Sequence, residues 1–396
     1  MKYRYILSLI LGIDAIILFL ETNTLSISYD ETSLLYGDFS FLQAIIKYSL
    51  TLFGQNDFAL RLPMIVFHLL SAILIYEIAK KYLDAVRDRL WLVVIFILLP
   101  GVVSSALIVN SAGLVIFGLL LFVYMHENIS RKSTYPLLIL FSIIDGRFLY
   151  LFLSLIFFAR YKRDKVYLGF NSLLFIYSLY LYGFDVAGLP KGHFLDSMGV
   201  YLVIFTPIIF IYLIYVLYKR YLIKKIDLLW FMSTTALIIS LILSFRQRVS
   251  VEIFAPYLII ALPLAAKTFS HSYKVRLKIF RKGYRFAFIL SLLFLLLNTL
   301  IVIFNKELYL VIKNPKSNFV YNFDIAKDLA KELKQKNITC VNTEFKMAQR
   351  LEFYGVIKCD KYLLKEDTLE KDNFLSVTLS YKNRLIYSAN VTKINN

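Results

Sequence analysis

Asp30 and Glu31 stand side by side in the run Ser26-Ile27-Ser28-Tyr29-Asp30-Glu31-Thr32, just outside the first apolar span. A carboxylate close to hydrocarbon must be solvated, paired or used, so two of them at the mouth of a helical bundle are candidates for chemistry. Arg61, Lys191, His193, Asp196, Arg246, Arg248 and Glu252 fall in segments expected on the same outer rim. A carboxylate accepts a proton from an attacking hydroxyl or amine, and arginine forks neutralise phosphate oxygens two at a time. That set suits transfer from a phosphate-linked donor, since phosphate leaves without an acid to help it. The same residues also fit a plainer role, with Asp30 and Glu31 capping a surface helix and the arginines anchored to headgroups.

The elements that must position them are membrane spans. Of 396 residues, 59% are hydrophobic and 18% charged, and apolar runs of about 20 residues, enough to cross ~30 Å of hydrocarbon, recur along the chain. They lie at roughly 5–22, 61–79, 90–108, 111–126, 136–159, 166–183, 198–218, 226–245, 253–269 and 286–305. The net charge of +18 reflects topology, because 22 Lys and Arg fall in short clusters ahead of the first run and between the others, the densest from Lys274 to Arg285. That is where the positive-inside rule puts them, and no nucleic acid partner is expected. The start, Met1-Lys2-Tyr3-Arg4, resembles a signal peptide, but Phe19 to Thr24 holds no small-residue cleavage site, so an uncleaved first span is expected.

One run breaks the pattern. Residues 136–159 have basic clusters at both ends, and both want the same side; Asp145-Gly146-Arg147 sits in the middle. The expectation is a pair of short helices or a re-entrant hairpin broken at that triplet, irregular backbone being tolerated where protein or water covers it. The alternative is one helix with an internal Asp-Arg pair. With the hairpin, the N-terminus is cytoplasmic and the C-terminus outside. The fold expected is a polytopic α-helical membrane protein of about 9 to 11 spans with a small C-terminal α/β domain.

Two outer segments are long. The first, 21–60, carries the acidic pair and then an amphipathic stretch from Phe39 to Gly54, which predicts an interfacial helix. The second is the tail. The domain division expected is 1–305 in the membrane and 306–396 soluble, with helices at Asn322–Lys336 and Glu344–Tyr354 and strands at Ile338–Val341, Phe374–Leu379 and Leu385–Asn390. The tail holds 16 basic and 11 acidic residues, and both cysteines, Cys340 and Cys359. The pair fits a disulfide on an oxidising face or two free thiols.

Tyr29-Asp30-Glu31, Tyr36, the amphipathic stretch, Gly54 and Arg61-Leu62-Pro63 together resemble the opening of the glycosyltransferase C superfamily. The closer likeness is to the branch of protein mannosyltransferases and lipid A aminoarabinose transferases. Arg246-Gln247-Arg248, Glu252, Pro256-Tyr257 and Pro263 resemble that family's late segment, and a soluble outer domain after the last span is usual there. The resemblance implies Asp30 as catalytic base with Glu31 beside it, and a polyprenyl-phosphate sugar donor held by Arg246 and Arg248. Arg61 is a further phosphate candidate, although a place at a helix start suits a structural role. Relatives carry a second acid where Val109-Asn110-Ser111-Ala112-Gly113 stands here, so this sequence departs from the pattern. A lysine of relatives is matched by Arg147.

The reading is an inverting sugar transferase of a cytoplasmic (inner) membrane, acting on an extracytoplasmic lipid, glycan or protein acceptor. Tyr36, Lys191, His193, Glu252 and Arg147 are its possible acceptor or support residues. No cofactor is expected, no metal-ligand spacing occurs, and a divalent metal is left open. Two rivals remain: a lipid-linked glycan flippase or other transporter, which would use Asp14, Glu77, Asp145 and Arg147 at mid-membrane, and a surface polysaccharide polymerase or ligase. His68 reads as a satisfied bundle histidine, and Pro190-Lys191-Gly192 as a turn.

Overall fold

The computed structural model describes residues 2–183, 191–312, 314–318, 320–366 and 375–393; Pro190 and Phe374 lie outside them. The chain divides into two compact units. One takes Met1–Ala15, Met64–Ala106 and Asn110–Thr299; the other takes Ile16–Pro63, Leu107–Val109 and Leu300–Asn396. The first outer loop therefore groups with the tail, a division the expected boundary at residue 305 does not follow.

In the first unit, two of the three bends in apolar runs fall at the residue before a proline. Among the described residues, four helices are long and apolar enough to cross a membrane: Tyr5–Thr22, Asp57–Tyr82, Ser111–Ile129 and Lys278–Ile303. Three further runs are pairs bent by 60°, 105° and 45°, broken ahead of Pro100, Pro207 and Pro263. A proline pushes the residue before it out of the helical region, and Leu99 duly sits at φ −64°, ψ 127°. Counting each pair once gives up to seven spans, below the expected 9 to 11. Two other apolar helices, Thr134–Ile144 and Leu228–Ser244, are shorter than these spans.

The irregular run folds as a hairpin. Its helix stops at Ile144, Asp145 caps the next turn by accepting from Arg147 N at 2.8 Å, and a second helix runs Leu149–Lys162. The two ends meet: Arg131 Nη1 lies 2.6 Å from Asp164 Oδ2, and the Arg131 guanidinium stacks 3.8 Å over Tyr167. A single crossing would hold those ends a membrane apart. Phe148 at the tip stacks on Phe141 at 4.2 Å, in space that Gly118 leaves open; a Cβ there would lie 2.7 Å from the Phe148 ring. His68 is satisfied at one ring nitrogen only: Nε2 lies 2.8 Å from Asp14 Oδ2, while Nδ1 is buried and has no hydrogen-bond partner among the described residues.

Helices α1 (Lys2–Thr22) and α4 (Asp57–Tyr82) contribute residues to both units, and α2 (Tyr29–Tyr36) and α3 (Phe41–Phe53) lie in the second. α3 is the predicted amphipathic helix. Leu42 and Ile46 face inward, Phe41, Tyr48 and Leu52 face out, and Gly54 ends it at φ 82°. The tail has helices Ile325–Gln335 and Phe345–Phe353 and a sheet of β1 (Cys340–Asn342), β2 (Ile357–Glu366), β3 (Leu375–Tyr381) and β4 (Arg384–Lys393). The strand order is β1-β2-β4-β3, with β1 parallel to β2 and the other pairs antiparallel. β2 is absent from the sequence reading because it alternates poorly: of its ten residues only Leu364 is buried.

Cys340 and Cys359 are joined across β1 and β2. The bond closes a loop with a sequence separation of 19, for which chain entropy gives about 3 kcal/mol. Cys340→Ser with Cys359→Ser is expected to open the tail sheet by roughly that amount, seen as faster amide exchange in β1 and β2 of the full-length protein.

Candidate active site

Glu31 begins as a helix cap. Ser28 precedes α2, Glu31 N donates to Ser28 Oγ at 3.2 Å, and Ser28 N donates to Glu31 Oε2 at 2.9 Å, a reciprocal capping box. The plainer role read from the sequence therefore holds for this residue. Its carboxylate does more: Oε2 lies 3.1 Å from Arg61 Nη2, and Oε1 accepts from Val109 N at 2.9 Å. Both Glu31 and Arg61 are 0% exposed. Arg61 also donates to Leu25 O at 3.0 Å and to Ser26 O at 2.9 Å. Neither has a face exposed to solvent, an enclosure that fits a scaffold better than the substrate contact expected of them. The reason is helical geometry, since a capping Glu turns back toward the chain that enters the helix.

Asp30, one residue earlier, points elsewhere. Its side chain is exposed and, among the described residues, has no hydrogen-bond or ion-pair partner; only its backbone oxygen is used, by Ser33 Oγ. Successive residues of a helix lie about 100° apart, so anchoring Glu31 inward fixes Asp30 outward. Tyr36 at the end of α2 is also exposed.

A second set of anchors, absent from the sequence reading, comes from the tail. Arg350 is 5% exposed; it donates through Nε to Ile27 O at 2.9 Å and through Nη2 to Asn322 O at 2.6 Å. Burial lowers its pKa from the usual arginine range. Tyr354 Oη accepts from Ile27 N at 2.8 Å and donates to Asp57 Oδ1 at 2.6 Å, and Lys327 Nζ lies 2.8 Å from Asp57 Oδ2. Asp57 is 3.7 Å from Arg61, one helical turn along α4. That i, i+4 spacing was the one signal of this cluster in the sequence.

The remaining candidates lie in the other unit. Lys191 N donates to Arg246 O at 3.0 Å, His193 N donates to Ser244 O at 2.7 Å, and Phe194 stacks on Phe245 at 4.8 Å. These contacts bring Lys191 and His193 to the strip that carries Arg246 and Arg248. The side chains of Lys191, Arg246, Arg248 and Glu252 are exposed and, among the described residues, unpartnered. His193 Nδ1 is 2.9 Å from Asp196. Arg147 is held at the hairpin tip, 3.8 Å from Asp145, and its carbonyl accepts from Tyr257 Oη at 2.8 Å. At the position of the family's second acid, Asn110 caps the helix Ser111–Tyr124, accepting from Ala112 N at 2.9 Å.

The pattern of the dolichyl-phosphate-mannose-protein mannosyltransferase family matches residues 41–176, a stretch that starts after Asp30. No curated protein matches the sequence. Among solved structures, ArnT from Cupriavidus metallidurans bound to undecaprenyl phosphate is similar with a TM-score of 0.60 and 11% identity, covering 96% of this chain and 97% of that one. The same protein in its apo state gives 0.56 and 11%, covering 99% and 98%. At such identity the likeness is one of fold. The resemblance to the branch of protein mannosyltransferases and lipid A aminoarabinose transferases, read first from the outer loop, is borne out by both findings.

Proposed function

We propose that this chain, sharing the ArnT fold and matching the mannosyltransferase pattern over 41–176, is a membrane glycosyltransferase using a polyprenyl-phosphate sugar. The observation that carries the reading is the exposed Asp30, unpartnered among the described residues, beside a buried, ion-paired Glu31 and Arg61. In the reaction, an acceptor oxygen or nitrogen attacks the anomeric carbon from the face opposite the phosphate, and its proton passes to Asp30. The bond from that carbon to the phosphate oxygen breaks, and the electron pair leaves with the polyprenyl phosphate. Configuration inverts. Arg246 and Arg248 neutralise the extra negative charge on the departing phosphate; Lys191, Arg147, His193, Glu252 and Tyr36 are the candidates for acceptor and donor support. The acceptor is a lipid, glycan or protein outside the membrane, with the N-terminus cytoplasmic and the tail extracytoplasmic. The Cys340–Cys359 bond suits that oxidising side.

The charges a transporter would use at mid-membrane are already taken: Asp14 by His68 at 2.8 Å, Glu77 by Lys80 at 2.6 Å, Asp145 by Arg147 at 3.8 Å. The deciding experiment reconstitutes the purified protein in vesicles holding a polyprenyl-phosphate sugar and measures free polyprenyl phosphate. Release is expected, falling on the order of a hundredfold with Arg246→Ala and Arg248→Ala together. Movement of intact donor between leaflets, with no release, would establish a transporter in its place.

A further inference from the structure

The turn that joins the helices Leu262–Val275 and Arg281–Ile303 reads Lys-Val-Arg-Leu-Lys-Ile-Phe-Arg-Lys-Gly-Tyr-Arg from Lys274 to Arg285. It is built to gather positive charge. Arg281 donates to Arg276 O and to Lys274 O, both at 2.9 Å, and Arg285 donates to Tyr273 Oη at 2.8 Å. The Arg281 and Arg285 guanidiniums lie 5.5 and 5.9 Å over Tyr273, and that of Arg276 lies 4.5 Å over Tyr284. Three cations are thus drawn around two rings. No acidic residue occurs between Glu252 and Glu307, and among the described residues none of the three arginines forms an ion pair. Like charges held this close repel unless an anion joins them.

Between the cations, Val275, Leu277, Ile279 and Phe280 are 60% to 73% exposed, and the span-length helix starts at Lys278. A soluble phosphate or a nucleic acid would satisfy the guanidiniums and leave these four side chains in water. An anionic phospholipid satisfies both, phosphate level with the arginines and acyl chains against the apolar residues. The geometry points to a binding site for anionic phospholipid headgroups at this turn, separate from the sugar-transfer residues.

The test takes the purified full-length protein from an equimolar mixture of phosphatidylglycerol and phosphatidylcholine and counts retained lipids by native mass spectrometry. Phosphatidylglycerol is expected to be enriched. Arg276→Gln, Arg281→Gln and Arg285→Gln together should reduce that enrichment on the order of tenfold or more, while neutralising Arg160, Lys162 and Arg163 leaves it unchanged. Equal enrichment in the glutamine variant, or equal loss in both variants, overturns the site. So does displacement of the lipid by inorganic pyrophosphate. Should the glutamine variant fail to fold, salt titration of the unaltered protein decides: enrichment that persists at high salt overturns the proposal.

Discussion

Asp30→Asn is expected to abolish sugar transfer and leave the protein as stable as before, whereas Glu31→Gln is expected to unfold the outer loop. The two carboxylates are adjacent, so the contrast tests what environment does to one chemical group. Asp30 is exposed and, among the described residues, unpartnered; changing it to Asn removes no contact, and only the capacity to take a proton is lost. General-base assistance contributes about 10²- to 10⁴-fold, and a deficit of that size in released polyprenyl phosphate is the readout. Glu31 faces Arg61 at 3.1 Å with neither exposed. Its amide would leave a buried guanidinium with only the more distant Asp57, at 3.7 Å, as counter-charge, a loss of up to ~3–5 kcal/mol. Melting of the purified protein in detergent separates the outcomes. An Asp30→Asn variant with full activity would refute Asp30 as base, and a fully stable Glu31→Gln variant would refute the scaffold role of the pair.

How much of this could be read from the sequence depends on how far apart the partners lie along the chain. The hairpin was legible because charge and hydropathy state it locally: basic clusters at both ends of one apolar run and a charged triplet between them. The cap is legible too, since Ser28 and Glu31 are three residues apart, although the same letters also fit catalysis. Adjacent acids look equivalent as letters. They separate only when the helix start turns one toward Arg61, 30 positions on. The bends at Pro100, Pro207 and Pro263 were written in the sequence, but an apolar run reads the same straight or bent. Arg350 was hidden altogether. A single arginine in a predicted helix gives no hint that it meets Ile27, 323 residues earlier.

That long-range contact ties the tail to the segment that carries Asp30, the proposed base, and Arg350→Ala tests whether the tail aims it. The backbone from Leu25 to Ser28 leads straight into α2, and it is held from both sides. Arg61 takes Leu25 O and Ser26 O, Arg350 takes Ile27 O, Tyr354 takes Ile27 N, and Phe323 O accepts from Ser26 N at 2.6 Å. Removing Arg350 strands the carbonyls of Ile27 and Asn322, each worth about 1–3 kcal/mol when buried and unmet. The segment ahead of Asp30 then loosens, and a misplacement near 1 Å costs about a hundredfold in rate. The expected result is therefore a fall in kcat of roughly that order with the donor KM little changed, because Arg246 and Arg248, the proposed donor-phosphate residues, are untouched. Arg350→Lys should not restore it: an ammonium lacks the planar fork that serves two carbonyls at once. Tyr354→Phe should act in the same direction, and the double variant should lose less than the two single losses combined, since both hold Ile27. A KM effect without a kcat effect, or full rescue by lysine, would mean that the tail only stabilises the fold and takes no part in aiming the base.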